Sequence, residues 1–536
     1  MISRGLVCTS GTLFLILTMG CKDSSKKAAT DASTADVGIA DASTADTNKA
    51  DVNAPDAASR PDTGWRGVGP ACAYAPIDGG AAPSDIDGGA APSDIDGGAA
   101  PSDIDGGAAP SDIDGGAVPS GIDGGAVLWD WVGVVGTGQS LAVGQNGTPV
   151  KSKTQPYGNL KLSTGTLAWP IDPNAASLAM VPLTEPVGRL ATNYPSAWPD
   201  NISGETMHSC MGNQIAASVK AASNRDYVSV QGEFGENGQC MTYLRKGAVP
   251  NGVNGRAFQA TLIETQAITR LAAAAGKTYG VGAIAIVHGE CDAGNSAYED
   301  ALVQLWSDYN TDLRAITLQT QSIPLLVSQQ NSTNDHSAST LAQWKVGVDH
   351  PGDFVCVGPK YQYQSSDGTH LTVDGYQQLG EKFGQVFFER VVQGHDWQPL
   401  QPTSIERNGR VITLHFHVPA PPLLWDNVMQ PPHQNAMTEW ALGKGFEVSG
   451  GGKRIAISSA EILCDNIGNT VEITVAEDLP AGAIVSYALF GDGAPRSIPV
   501  AGTPRWGLLR DSDPFVGSST QTAQPNYAVA FELPIP

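Results

Sequence analysis

Three residues far apart in this chain, Ser140, Asp367 and His370, have the types and surroundings that nucleophilic chemistry needs. The apolar run Val132-Gly133-Val134-Val135 leads into Gly136-Thr137-Gly138-Gln139-Ser140, a glycine-rich turn with a serine at its tip. About 230 residues later comes Ser366-Asp367-Gly368-Thr369-His370-Leu371, followed by a helical pattern. A serine hydroxyl is a weak nucleophile alone. It needs an imidazole to take its proton and a carboxylate to orient that imidazole. Gly136 and Gly138 would let the backbone turn without a Cβ clash. Asp367, three residues before His370, can reach around a loop turn to the ring's other nitrogen. It could instead cap the turn before the helix that starts near Thr372. His208 and His350 are rival bases, but they lie in loops without a matching carboxylate spacing. A pair of acids, Glu290 and Asp292, raises glycosidase chemistry, yet the serine, histidine and aspartate account for more of the chain.

These residues need elements to hold them. From Trp129 onward, apolar runs near 131–136, 227–231, 281–287, 323–328 and 353–357 read as strands. Helical patterns near 210–222, 257–275, 298–317, 338–346 and 373–392 alternate with them. Such alternation implies parallel strands with right-handed crossovers, hence a three-layer α/β domain over 128–395. In such sheets the site lies beyond the C-terminal ends of the strands. Both motifs fall there, as does His288-Gly289-Glu290-Cys291-Asp292, which follows the strand-like Ile284-Ala285-Ile286-Val287. Residues 396–536 change texture. Val411–Phe416 and Val471–Val475 alternate with period two between glycine-rich turns, which predicts a C-terminal antiparallel β-sandwich domain. Its role could be packing or carbohydrate binding. Trp425, Trp440 and Trp506 are candidate sugar platforms, although a tryptophan in a β-domain is more often core.

The three motifs, in order and each after a strand, resemble the SGNH (GDSL-like) hydrolase superfamily. They are most similar to the branch of sialate O-acetylesterases and acetylxylan esterases, where Gly-Gln-Ser replaces Gly-Asp-Ser. The resemblance covers 128–395. It implies a flavodoxin-like fold and a Ser140–His370–Asp367 triad. It also implies an oxyanion hole built from the N–H of Ser140 and a glycine N–H after the second strand, Gly238 with Gly235 in reserve. The wider superfamily carries an oxyanion asparagine in its third block, where this chain has Cys291. His288 is therefore a candidate for the missing donor, and Gly289, Glu290 and Asp292 match the branch's third-block loop. Glu290 and Asp292 could serve to hold that loop. The resemblance favours acetyl esters over long-chain lipids.

The chain has 536 residues and a formal net charge of -23. Residues 22–126 hold 18 Asp, no Glu and 6 Lys plus Arg, so much of the charge belongs to this stretch. An acidic chain argues against nucleic acid, which needs a basic face. Arg4, the apolar Leu13–Leu17 and Thr18-Met19-Gly20-Cys21 read as an export signal (1–21) with a lipoprotein-type cleavage site and lipidation at Cys21. Residues 22–127 are expected to be a disordered acidic linker, with a nine-residue repeat from Ile77 to Gly125. The repeat lacks the third glycine of a calcium-binding β-roll, so a flexible spacer holding a catalytic domain off a membrane is the better reading. Cys72, Cys210, Cys240, Cys291, Cys356 and Cys464 form no metal-ligand spacing. Cys210 with Cys240 is the expected disulfide. No metal or organic cofactor is expected. The reading is an exported, membrane-anchored esterase that removes O-acetyl groups from a polysaccharide or sialic acid. The alternatives are a lipase or thioesterase on the same fold, and a non-catalytic carbohydrate-binding surface lipoprotein.

Overall fold

The structure is a computed structural model that describes residues 129–193, 196–248, 256–464, 468–497 and 499–536. The export signal, Cys21, the linker with its repeats and Cys72 lie outside the described residues. The α/β part runs β1 (Trp131–Gly138), β2 (Leu160–Ser163), β3 (Ala179–Pro182), α1 (His208–Ser223), β4 (Ser229–Glu233), α2 (Met241–Leu244), α3 (Arg256–Ala274), β5 (Tyr279–Val287), α4 (Tyr298–Thr317), β6 (Leu325–Gln329), α5 (Ala338–Asp349), β7 (Phe354–Pro359) and α6 (Val373–Phe387). One seven-stranded sheet has the order β3-β2-β4-β1-β5-β6-β7. All its pairs are parallel except β2 with β3, which is antiparallel.

Strand β5 is apolar along its length because helices cover both faces of the sheet, whereas β4 buries the polar Ser229, Gln231 and Glu233. Ile284 and Ile286 of β5 pack with α3 and α4, whereas Ala283, Ala285 and Val287 pack with α1 and α6. Helices α1 and α6 approach closely: a Cβ on Gly380 would stand 2.1 Å from the Met207 carbonyl oxygen. The chain leaves β1 toward β4 on one side, then crosses to β5 on the other. The C-terminal end of β1 is therefore the point where the winding reverses, which is where a crevice opens in such sheets.

The five strands and five helices read from periodicity are present with shifted ends. The short β2–β3 edge pair and α2 are not anticipated, since four residues are too few to show a period. The helix expected over 373–392 becomes a π-turn from Phe388 to Val392. Its N-cap is the Thr372 hydroxyl, which accepts the Gly375 N–H. Asp367 caps the turn before this helix, its Oδ1 accepting the Thr369 and His370 N–H groups, but not the helix itself.

The C-terminal part runs β8 (Gln401–Asn408), β9 (Val411–His417), β10 (Leu424–Trp425), β11 (Phe446–Gly450), β12 (Lys453–Arg454), β13 (Ile457–Leu463), β14 (Thr470–Val475), β15 (Ile484–Tyr487), β16 (Leu509–Arg510) and β17 (Phe531–Pro534). Two antiparallel four-stranded sheets, β13-β14-β9-β8 and β12-β11-β15-β17, share one core. In it Phe416 of the first sheet meets Phe531 of the second. The proposed sugar platforms Trp440 and Trp506 are instead core residues, each 2% exposed. Their indole N–H groups donate to the carbonyls of Val448 and Gln430. Trp425 is half-buried beneath the Lys444 ammonium.

This β-part grips the α/β part through buried polar bonds. The Gln329 amide exchanges two 2.8 Å hydrogen bonds with the backbone of Ala530. The Glu381 carboxylate on α6 accepts the N–H groups of Ser519 and Thr520 at 2.7 Å each, and the Gln524 amide at 2.6 Å. In the loop 365–370, the Ser365 N–H donates to the Ala501 carbonyl and Gly368 lies against Pro495. Burying unpaired donors is costly. Glu381→Ala is therefore expected to lower unfolding stability by about 3 kcal/mol, measured as a shift of the urea midpoint against wild type.

Candidate active site

Strand β1 ends on Gly138, whose φ of 146° is open to glycine alone. A Cβ there would stand 2.1 Å from the Val287 carbonyl oxygen. The chain then closes a helical turn: the N–H groups of Ala142 and Val143 donate to the Gln139 carbonyl, and that of Gln145 to Ser140. Ser140 thus sits at the start of a turn at the end of a central strand. Gly136 has a different reason from the one expected. It lies inside β1, and a Cβ would be 2.3 Å from His208 Nε2 and 2.4 Å from Glu233 Oε2. It makes room for a buried pair of side chains.

The loop 365–370 follows β7 and is shaped by its own polar groups. Gly368, at φ 87°, donates its N–H to Ser365 Oγ. Asp367 Oδ1 accepts the N–H groups of Thr369 (2.9 Å) and His370 (2.7 Å). His370 Nδ1 lies 2.8 Å from Asp367 Oδ2, and its Nε2 lies 2.9 Å from Ser140 Oγ. The carboxylate makes Nδ1 the protonated nitrogen, so Nε2 is left to accept from the serine hydroxyl. Burial pushes the Asp367 carboxyl up, but the hydrogen bonds from the His370 ring and from the His370 and Thr369 N–H groups outweigh it. The group is held below its usual range.

The rival histidines are elsewhere. His350 is the C-cap of α5 and sits just before β7, at the N-terminal end of the strands, away from the rim that carries Ser140 and His370. His208 opens α1 and is fully buried. Its Nδ1 meets Gln231 Oε1 (2.8 Å) and its Nε2 meets Glu233 Oε2 (2.9 Å). The Gln231 NH2 is occupied by Ser229 Oγ, so both imidazole nitrogens face acceptors and both must donate. Burial pushes the His208 pKa down, but the Glu233 carboxylate outweighs it, and the ring sits above its ordinary 6.5.

Two expected oxyanion donors, Gly235 after β4 and His288 after β5, are engaged elsewhere. The Gly235 N–H is spent on Glu233 Oε1 at 2.6 Å, so it cannot serve as an oxyanion donor. His288 is fully buried and has both ring nitrogens engaged. The Tyr298 hydroxyl donates to Nδ1, and Nε2–H donates to the Gln239 carbonyl. Burial lowers its pKa, which suits a neutral ring. It props the loop that carries Gly238, which has φ 73°, instead of facing substrate. Asp292 does similar work, accepting the first N–H of α2 from Met241 at 2.7 Å. Glu290 forms a buried ion pair with Lys360 (2.9 Å), and the Gly289 carbonyl accepts the Ser339 hydroxyl. A disulfide joins Cys240 to Cys291, linking the two loops. The expected partner Cys210 is a buried free thiol near Ser152 Oγ. Helix α1 carries it away from Cys240. Gln139, read only as part of a motif, binds the third loop by accepting the Cys291 N–H. Among the described residues no group of three or more His, Cys, Asp or Glu could hold a metal ion.

No family model matches the sequence, and no curated protein matches it. Among solved structures it is similar to a carbohydrate acetylesterase from Xanthomonas citri, with 13% identity, TM-score 0.45, and 75% of this chain and 80% of that chain covered. A protein from Arabidopsis thaliana shows 16% identity and TM-score 0.36, covering 49% of this chain and 98% of that one. The protein NanS shows 12% identity and TM-score 0.31, with the same coverage.

The His208–Glu233 pair has a signed consequence. A raised histidine pKa adds stability that is fully present below the unfolded value of 6.5 and is lost as pH rises through the folded value. In Glu233→Gln the carboxylate is gone, and burial is opposed only by the Gln231 hydrogen bond and the more distant Glu185 charge. The stability gap between wild type and this variant is therefore expected to be widest in acid and to narrow as pH rises from about 5.5 to 8.5. Denaturant unfolding across that range measures it, and a gap independent of pH would remove the charge from His208.

Proposed function

We propose that the protein is a serine hydrolase of carboxylic esters, with O-acetylated carbohydrate as its substrate class. The observation that carries this reading is the line of short contacts from Ser140 Oγ to His370 Nε2 and from His370 Nδ1 to Asp367. In it, Ser140 Oγ attacks the acyl carbon as its proton passes to His370 Nε2. Asp367 steadies the resulting imidazolium. The oxyanion is met by the N–H of Ser140 and, in this reading, that of Gly238. Collapse expels the sugar alkoxide, which takes the proton from Nε2, and leaves an acyl group on Ser140. A water, deprotonated by the same nitrogen, attacks that acyl carbon and releases acetate and the serine hydroxyl.

The order of the three sequence motifs supports the SGNH-like, flavodoxin-type reading of the α/β part. The antiparallel part is read as a β-sandwich that braces the histidine loop. The export signal and Cys21 support an exported, lipid-anchored protein, with 22–127 as spacer. The acetyl preference comes from the resemblance to the Gly-Gln-Ser branch.

Release of p-nitrophenol from its acetate ester tests the chemistry, and acetate release from acetylated xylan, pectin, chitin fragments and sialosides tests the substrate class. Ser140→Ala is expected to lower kcat by about 10⁴-fold or more with its fold intact. Equal inactivity of wild type and variant would favour a binding protein. A rate rising with acyl chain length would favour a lipase or thioesterase.

A further inference from the structure

Asp367 is not held by its own loop alone. Its Oδ2, which faces the His370 ring, also accepts the Asn146 side-chain amide at 3.0 Å, and the same amide reaches Ser366 Oγ at 3.1 Å. Asn146 belongs to the turn that carries Ser140. An ionised carboxylate only accepts hydrogen bonds, so Asn146 must turn its NH2 group toward Asp367. Its carbonyl oxygen then faces Gln145 Nε2, at 3.2 Å. This fixes the Gln145 amide in turn, whose Oε1 lies 2.8 Å from Asn237 Nδ2. One negative charge thereby dictates the orientation of three amides. They run head to tail, each NH2 on the next oxygen, from Asn237 to Asp367. Asn237 adjoins Gly238. The relay is anchored where Tyr376 of α6 donates its hydroxyl to the Gln145 carbonyl at 2.7 Å. Asn146 itself sits at φ 64°, a left-handed backbone that asparagine tolerates.

We infer that Asn146 is a positioning residue, and that the Asn237–Gln145–Asn146 relay holds the Asp367 carboxylate in register with the nucleophile turn. This rests on the serine-hydrolase reading above. The Asp367 side chain is 43% exposed, so water competes for its oxygens. The amide at Oδ2 fills the last acceptor position, fixes the plane of the carboxylate and draws charge from the oxygen that steadies the His370 imidazolium. Without it the ring would bind its proton more tightly, and a base that holds its proton at higher pH is inactive over more of the acid range.

The test uses the full chain with p-nitrophenyl acetate, reading kcat, KM and the acid limb of the pH profile. Asn146→Gly removes the amide and accepts the left-handed backbone without strain. Asn146→Asp keeps the backbone preference but sets a second carboxylate against the first. The glycine variant is expected to lose about tenfold in kcat, the scale of one hydrogen bond to a charged group, with KM unchanged and the acid limb moved to higher pH. The aspartate variant is expected to lose more and to move the limb further. Thermal unfolding of both shows that the fold is kept. If Ser140→Ala is inactive while both Asn146 variants keep wild-type kcat and acid limb, the relay is overturned alone. If Ser140→Ala retains wild-type activity, the serine-hydrolase reading falls first and takes the relay with it.

Discussion

The contact between Ser140 Oγ and His370 Nε2 joins positions 230 residues apart at 2.9 Å, and most of the α/β layer can be understood as the means of holding it. If Ser140 is the nucleophile proposed above, this contact tolerates little error, because proton transfer falls off steeply with misplacement. The serine is fixed by a central strand buried on both faces. The histidine hangs from a loop beyond an edge strand of the same sheet. Parallel strands put both at one rim, and the reversal of winding at β1 leaves the space between them open.

Around that contact lies a set of charges that water cannot screen. His208 of α1 with Glu233 of β4, and Lys360 with Glu290 in the loops after β7 and β5, are buried pairs. Such pairs are poor sources of net stability, since desolvation offsets much of the attraction, but each loses heavily if one partner is removed. Here they fix loops. Glu233 orients the Gly235 amide, Asp292 fixes the start of α2, and His288 steers the Gln239 carbonyl. The disulfide between Cys240 and Cys291 adds a covalent link between two of these loops. At the rim of the sheet, loops far apart in sequence are held together by polar side chains that pair across them.

Much of this architecture was legible in the chain. Long apolar runs such as Tyr279–Val287 and amphipathic stretches such as Tyr298–Thr317 announce themselves by length and period, and the three motif loops follow strands as expected. Side-chain pairing across the fold was not legible. Nothing local distinguishes Gly235, whose N–H is taken by a carboxylate, from Gly238. His288 reads as a candidate donor until Tyr298 and Gln239 are seen on its two nitrogens. Cys291 looks like a loss of function at an asparagine position until it is found bonded to Cys240. Asn146, in the ordinary turn pair Asn146-Gly147, gives no hint of its distant carboxylate. These are contacts between segments far apart in sequence, which periodicity and spacing do not encode.

The grip of the β-part on loop 365–370 has an evolutionary consequence. Ala501 and Pro495 lie against the residues that present the imidazole, so this appendage is not an interchangeable cargo module. Recombination that swapped it for an unrelated domain would remove the contacts that Ala501 and Pro495 make with loop 365–370. The conformation of the histidine loop therefore depends on residues of both halves of the chain.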